Sequence, residues 1–576
     1  MTFLAHLSPA GTRLESAAAM RSSWSGQGGS SFRLSVQIFS PLAEAAELHP
    51  APGLPGLHFA GRVRLDRRAE LVTALGLSRH GSAAASDAML CLHAWARWHG
   101  QAIDRLHGDF AFVVWDAARR ELFCARDRIG VRSLAWLRDG ADWWIGDALN
   151  ELLAAAPARA RAFDDRWIAD FLESGVSSDP SATVYAQVRR LPPAHVLRAA
   201  GRAEPEIRRY WQLGPAEPVL LRSTGAYREQ FNDLLATAVA DRLPASGRVG
   251  IMLSGGLDST SLAATAVDLV GGDRVVARTG IVGGERDPEA AASRTVAERL
   301  GISQAFVEMA LLAYDPAWPQ RGERTAEPDL AITRPPAFTA SVAQMGSQAT
   351  VWFYGEGPDN ALTFEWRAWL RWLARRRRWT TLAGACASWV ATKTPREWVT
   401  TVAVWTGREP LWSPPPPMPW LRPLADVPRT LESTADFWRP QALANLRGPL
   451  WPDMLEELDR QHAVGSVDWR HPFLDLRLLE FMLRTPPVPW GRRKRLIREA
   501  MAGRLPEETL RRGKTAFYQD PGTEFQSHPL PPLRLSGAIE DYVSVADLPA
   551  APAHPEHFRC LVRVAILDHW LRHRRA

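Results

Sequence analysis

The sequence predicts an α/β protein in two parts, a β-rich N-terminal layer followed by a doubly wound parallel sheet with a helical C-terminal portion. Three observations carry this prediction. Short apolar runs separated by polar turns dominate residues 1–150. From about residue 247 strand patterns alternate with helix patterns, the mark of a parallel sheet with crossover helices. At 576 residues the chain is too long for one ordinary domain and suits two or three.

In the first part, Phe110-Ala-Phe-Val-Val-Trp115 and Glu121-Leu-Phe-Cys-Ala125 read as strands, with Asp116-Ala-Ala-Arg-Arg120 as their hairpin connection. Apolar spacing predicts helices over 164–175 and 227–243. The Pro- and charge-rich stretch 186–218 between them, with Leu191-Pro-Pro-Ala-His195 and Arg208-Arg-Tyr-Trp211, reads as the domain boundary. Residues 248–253 form a short buried strand, a Gly-rich turn follows, and a helix covers 259–270. A second strand over 275–282, a second helix over 289–300 and a strand Val351-Trp-Phe-Tyr354 continue the pattern. Residues 366–406 read as helical and basic, and Ser413-Pro-Pro-Pro-Pro-Met-Pro419 as a rigid loop. No internal repeat is visible.

Composition narrows the function. No run of about 18 clean apolar residues suggests a membrane span, and the first 30 residues lack a secretory pattern. The cysteines Cys91, Cys124, Cys386 and Cys560 fit neither a zinc site nor a disulfide framework, which suits a reducing cytoplasm. A net charge of +6 suits an anionic substrate without demanding nucleic acid. The 25 tryptophans read as packing, or as a peptide-binding surface. Only three of the 69 basic residues are lysines, Lys393, Lys494 and Lys514. Where arginine otherwise serves, a lysine is expected where a compact ammonium is needed, so Lys494 and Lys514 are candidates for chemistry.

The string Ser254-Gly-Gly-Leu-Asp-Ser-Thr260 links a buried strand to a helix start. Backbone N–H groups at such a start cradle anions, and glycine lets phosphate oxygens approach. Ser254, Ser259 and Thr260 add hydroxyls, while Asp258 would repel phosphate unless a divalent cation lies between them, so Mg²⁺ is implied. The absence of Gly-Lys-Ser/Thr excludes a Walker loop, and the pattern instead suits grip on pyrophosphate. A second Gly-rich turn, Tyr354-Gly-Glu-Gly-Pro-Asp-Asn360, offers Glu356 or Asp359 to complete the Mg²⁺ site. A third string, Asp468-Trp-Arg-His-Pro-Phe-Leu-Asp475, precedes Lys494-Arg-Leu-Ile-Arg498 and Arg512-Gly-Lys514. A lysine there could stabilise charge growing on an α-phosphate. Arg470 and Asp475 read equally well as a structural ion pair, and Lys494 as a solvated helix position.

Taken together, these strings resemble the asparagine synthetase family. Leu106-His-Gly-Asp-Phe-Ala-Phe-Val-Val-Trp-Asp116 and Ala125-Arg-Asp-Arg-Ile-Gly-Val-Arg132 resemble its glutamine amidotransferase hallmarks, and the later motifs follow in family order. The resemblance implies an amidotransferase-like αββα unit over 1–205 and a PP-loop synthetase unit over 215–576. It implies ATP and Mg²⁺ as cofactors, with Asp258 and Asp359 on the metal. Leu253, Ser254, Gly255, Gly256, Asp258, Ser259, Thr260, Gly355 and Lys494 would bind the nucleotide. Lys514 would contact the adenylate phosphate, and Glu356 would manage the nucleophile's protons.

Two departures refine the expectation. Family glutaminases use an N-terminal cysteine thiol, whereas this sequence opens Met1-Thr2-Phe3, so glutaminase activity is not expected, barring an N-terminal Thr2 nucleophile. Gly-Glu-Gly-Pro-Asp-Asn-Ala and Val63-Arg-Leu-Asp-Arg-Arg-Ala-Glu-Leu71 are most similar to the lasso-peptide macrolactam synthetases, cousins of the β-lactam synthetases, which place tyrosine where Glu356 stands. That resemblance implies closure of an isopeptide ring between a peptide's N-terminal amine and an Asp or Glu side chain. It implies a ribosomal precursor (core) peptide as substrate, a leader peptidase as partner, and a large cavity between the two units. An asparagine or small-molecule lactam synthetase, and an inactive scaffold in a peptide-maturation complex, are the alternatives.

Overall fold

A computed structural model describes residues 3–9, 32–38, 45–48, 53–77, 86–201, 203–282, 284, 287–309, 314–322, 325–391, 416–422, 437–513, 535–549 and 554–575. Met1, Thr2, Lys393, Lys514, residues 392–406 of the expected basic helix and residues 413–415 of the Pro-rich loop lie outside them.

Eleven strands build two sheets: β1 Phe3–Pro9, β2 Phe32–Ile38, β3 Ala45–Leu48, β4 Leu57–Leu65, β5 Gly108–Asp116, β6 Glu121–Arg126, β7 Ala135–Asp139, β8 Asp142–Gly146, β9 Arg189–Arg190, β10 His195–Ala200 and β11 Glu206–Arg209. The sheets run β2-β1-β8-β7-β9 and β11-β10-β6-β5-β4-β3. Alternation decides which side chains meet. Phe3, Ala5, Leu7 and Ile145 of one sheet pack against Ala111, Val113, Trp115 and Leu197 of the other. The outward residues Phe59, Phe110, Phe112 and Phe123 pack under the helix Asp87–Trp98. Leu4, Leu137 and Trp144, facing outward from the first sheet, meet the helices Asp165–Ser174 and Pro555–Arg575. The result is an αββα sandwich, closed on one side by the last helix of the chain. The stretch expected as a connector instead supplies β9 to β11, because His195–Ala200 buries Val196, Leu197 and Ala199 and pairs with β6.

The second part is a five-stranded sheet: β12 Val249–Met252, β13 Val275–Ile281, β14 Ser303–Glu308, β15 Val351–Phe353 and β16 Asp468–Arg470. Every pair in it is parallel, in the order β14-β13-β12-β15-β16. The chain therefore leaves β12 toward β13 and β14, then returns to its other side for β15 and β16. The reversal lies between β12 and β15, and ligands bind at the carboxyl ends of strands at such a point. One face carries Phe231, Leu235, Leu262 and Ile497, the other Val342, Met345, Trp352 and Trp469. Gly250 must be glycine, since a methyl group there would collide with the Trp352 ring. The basic region is two helices, Trp366–Arg375 and Trp379–Ala391, broken at a left-handed Arg377. Trp369 and Trp372 stack and pack on Trp438, which places these tryptophans in the core. Among the described residues, no helix is long and apolar enough to cross a membrane.

Candidate active site

β12 delivers the first motif. Leu253 is buried; its N–H donates to the Arg278 carbonyl (2.9 Å) and its carbonyl accepts from the Thr279 hydroxyl (2.6 Å). Leu253 thereby roots the loop in the sheet. The Ser259 hydroxyl accepts from Ser254 N–H (3.0 Å) and donates to the Ser254 carbonyl (2.9 Å), and the Thr260 hydroxyl donates to the Gly256 carbonyl (2.9 Å). Both hydroxyls brace the loop from inside because their side chains are buried. The expectation of three hydroxyls presented to phosphate is thus corrected to Ser254, the exposed one of the three. No side chain caps the following helix Leu257–Val270, which leaves its first-turn N–H groups to an anion.

β15 delivers the second motif, and the two loops touch. A methyl group at Gly355 would lie 3.3 Å from Ser259 N and 3.6 Å from Asp258 Cβ, so glycine lets the turns pack closely. Gly357 adopts φ 131°, a conformation L side chains avoid, and starts the short helix Pro358–Ala361 that carries Asp359. Tyr354 sits behind them, its hydroxyl pushed up to about 12 by burial, with Glu356 and Glu457 adding negative charge.

Lys494 joins the loops. Its Nζ lies 2.5 Å from Asp258 Oδ2 and 2.8 Å from Asp359 Oδ1. The solvated helix position allowed by the sequence is corrected here. Arg493 and Lys494 both take left-handed backbone angles (φ 48° and 53°), and Lys494 is the residue before the helix Arg495–Ala500. That kink turns the side chain into the site. Burial works against the ammonium, but Asp258 and Asp359 outweigh it and raise the Lys494 pKa. Asp258 is pushed up to about 6, chiefly by burial; Lys494 compensates only in part, and Asp359 and Glu356 push it up further. Asp258 Oδ1 is buried with no hydrogen-bond partner. Asp258 keeps this oxygen free and shares Lys494 with Asp359, and two such hard carboxylates suit a divalent cation such as Mg²⁺.

Two residues that sequence reasoning passed over also reach the loop. Glu289, on the helix Pro288–Leu300, accepts from Gly255 N–H (2.7 Å) and from Arg512 Nη2 (3.1 Å). Only the position of Arg512 beside Gly513 and Lys514 hinted at it.

The third motif is structural. Arg470 donates to Asp468 (2.7 Å) and to the Arg242 carbonyl (2.8 Å), while Asp475 accepts from Arg242 (2.9 Å) and caps the helix Leu476–Arg484. Asp66, Asp241 and Asp475 cluster closely, but Arg64, Arg242 and Arg477 pair with them at 2.5–3.1 Å and oppose their charge. Between the two parts opens a cleft of about 110 Å³, walled by the stacked Trp167 and Phe171 on one side and by Asp453 and Glu457 on the other, far smaller than the large cavity expected there.

Residues 230–571, more than half of the chain, match the asparagine synthase family, and residues 67–211 match a glutamine amidotransferase domain. The chain belongs to the asparagine synthase family. An asparagine synthetase (glutamine-hydrolyzing) of Bacillus subtilis is 30% identical over 31% of this chain and 29% of its own length. Amidase chyE of Penicillium rubens is 30% identical over 32% of this chain and 27% of its own. An asparagine synthetase (glutamine-hydrolyzing) of Brassica oleracea is 27% identical over 39% and 34%. The matched stretches thus span about a third or less of these relatives. Among solved structures, a glutamine phosphoribosylpyrophosphate amidotransferase of B. subtilis aligns over 56% of this chain and 61% of that one, at 12% identity and a TM-score of 0.21, too low to speak to shape. For this asparagine synthase family member, the αββα sandwich is the amidotransferase-like part and the parallel sheet lies within the synthase match.

Proposed function

We propose that this chain uses ATP to activate a carboxylate as its adenylate and lets an amine displace AMP to form an amide. The observation that carries this reading is the meeting of Asp258, Lys494 and Asp359 at the switch point of the parallel sheet. Bound Mg²⁺ would neutralise the triphosphate's charge, held by Asp258 and Asp359. The chain's residues do the rest. The Gly255–Gly256 turn and the uncapped helix orient the phosphates, and Lys494 keeps the two carboxylates together until a cation shares them. We place Lys514 on the adenylate phosphate and Glu356 at the nucleophile's proton.

The finer reading is macrolactam closure in a lasso-type core peptide, with a leader peptidase as partner. The Gly-Glu-Gly-Pro-Asp-Asn-Ala string supports it. An amine held on the same peptide as the adenylate reacts at a high effective concentration. Asparagine formation is the second reading, favoured by the relatives' names. Against its glutamine-dependent form, Cys91 and Cys124 are buried in the sandwich, and burial pushes both thiols far above the reactive range.

The test incubates the chain with ATP, Mg²⁺ and a leader-free core peptide bearing an internal Asp or Glu, with aspartate plus ammonia in parallel. Pyrophosphate release with loss of one water from the peptide supports the macrolactam. Asparagine from the second arm transfers the reading to asparagine synthesis. AMP-free turnover, or no pyrophosphate in either arm, overturns the adenylate mechanism.

A further inference from the structure

Gly255 N–H belongs to the turn that the proposed adenylate chemistry assigns to the phosphates. In the structure it donates to the Glu289 carboxylate at 2.7 Å. The carboxylate stands where a phosphate oxygen would stand, an anion on an anion-cradling amide. The other oxygen of Glu289 accepts from Arg512 Nη2 at 3.1 Å. The Arg512 guanidinium also lies directly on the turn, since a methyl group at Gly255 would collide with its Nη1. Both side chains are mostly but not wholly covered, 26% exposed for Glu289 and 18% for Arg512, so solvent reaches the pair.

The backbone around Arg512 is fixed from the other side of the site. Arg498 Nη2 donates to the Arg512 carbonyl (2.8 Å), and Arg498 Nε donates to the Arg493 carbonyl (2.7 Å), next to Lys494. One arginine therefore ties the segment of Arg512 to the kink that aims Lys494 at Asp258. Arg512 is held against the loop by its own backbone anchor as well as by Glu289.

Resting on the adenylate reading above, we infer that Arg512 is a polyphosphate-binding residue of this site and that Glu289 is the internal anion it exchanges for the nucleotide. A single N–H cannot donate fully to Glu289 and to a phosphate oxygen at once. A carboxylate at 2.7 Å from that N–H also repels an arriving triphosphate. Binding therefore moves Glu289 off Gly255 and turns the forked guanidinium from a carboxylate to phosphate oxygens, a partner of matching bidentate geometry. The exchange acts on the pyrophosphate portion of the nucleotide, where the Gly-rich turn lies, and not on the adenosine.

This assignment predicts opposite signs for two substitutions, which a bracing role does not. Binding of ATP, inorganic pyrophosphate and AMP to the full chain is measured by calorimetry with Mg²⁺ present, and folding is followed by thermal unfolding. Glu289→Gln keeps an acceptor for Gly255 but removes the competing charge, so ATP and pyrophosphate bind about threefold tighter. Arg512→Gln loses a charge-assisted contact, so both bind about tenfold more weakly. Arg512→Lys recovers part of the loss and serves if Arg512→Gln fails to fold. AMP, which lacks the pyrophosphate, changes little in any variant. Weaker ATP binding in both Glu289→Gln and Arg512→Gln overturns the exchange and makes the pair a brace. Equal effects on AMP and ATP overturn the assignment to polyphosphate. A wild-type chain that binds neither ATP nor pyrophosphate overturns the adenylate reading itself.

Discussion

Replacing Lys494 with methionine separates a structural cation from a metal-competing one. The ammonium lies 2.5 Å from Asp258 and 2.8 Å from Asp359, with its own side chain 18% exposed. At an effective dielectric of about 20, each such contact is worth about 6 kcal/mol before desolvation. Desolvation cancels much of this, and Asp359, 41% exposed, is screened. Losing one member of a largely buried pair costs about 3–5 kcal/mol, which is the destabilisation expected of Lys494→Met in urea unfolding without divalent cations. The penalty depends on pH. The folded pKa of Asp258 is already raised to about 6, and losing the ammonium raises it further. A carboxylate raised on folding destabilises above its folded pKa and is harmless below its unfolded one. The penalty is therefore largest at pH 8 and shrinks toward pH 4. Added Mg²⁺ takes the place of the ammonium, and saturation at 100 times its Kd returns about 2.7 kcal/mol. The wild type gains less, because Lys494 already holds both carboxylates. A Lys494→Met chain as stable as wild type, or one that gains no more from Mg²⁺, would show that Lys494 does not stand in for the metal.

Three further outcomes follow from the same structure. Asp258→Asn removes the orphaned carboxylate oxygen at the proposed metal site and should abolish ATP–pyrophosphate exchange while the chain still folds and unfolds in one cooperative thermal transition, since Asn keeps the shape and Asp359 still faces Lys494; exchange at the wild-type rate sinks the metal assignment. Lys514→Arg should slow single-turnover amide formation on the order of a hundredfold, since a broad guanidinium does not replace a preorganised ammonium; a near wild-type rate removes Lys514 from the chemistry. Burial alone would raise Asp459, but the Arg62 and Arg132 guanidiniums hold it at about 2, so its stabilising contribution is present above about pH 4 and lost as pH falls toward 2. Asp459→Asn should flatten that acid limb in urea midpoints, and an unchanged limb places the acid sensitivity elsewhere.

The strand-turn-helix of residues 249–270 was legible because a buried β-strand, two glycines and an apolar helix are local signals. The partnership of Lys494 with Asp258 was not. It joins residues 236 positions apart in sequence, and it depends on a left-handed kink at Arg493 and Lys494 that no glycine announces. In the sequence Lys494 reads as a candidate for chemistry and equally as a solvated helix position, and the backbone conformation decides between them. The inward turn of Ser259 and Thr260 was hidden for a different reason. A hydroxyl serves a phosphate and a carbonyl equally well, and only the packing of the helix start decides between them. β9 to β11 were hidden because they are short and charged and are separated by the prolines Pro192, Pro193 and Pro205; β9 and β11 lie at sheet edges, where charge is tolerated.

The sandwich has a physical role that needs no thiol. Asp459 and Asp468 belong to the synthase part, yet their cations come from the other part: Arg62 on β4 donates to Asp459 at 2.9 Å, and Arg132 reaches Asp459 at 2.5 Å and Asp468 at 2.6 Å. Asp468 opens β16, the strand beside β15, and β15 leads into the turn that carries Glu356 and Asp359. Without the two arginines, Asp468 would keep Arg470 and Asp459 would lose both guanidiniums that pair with it while staying buried, at a cost of several kcal/mol. Arg190 repeats the arrangement with Glu327 and Glu456. The last helix completes the tie from the opposite direction, with Arg563 donating to the Leu172 carbonyl (2.9 Å) of the sandwich. The edge of the synthase sheet is therefore built partly from the sandwich's guanidiniums, and the amidotransferase-like layer is a structural condition for the geometry of the second Gly-rich turn whether or not it hydrolyses glutamine.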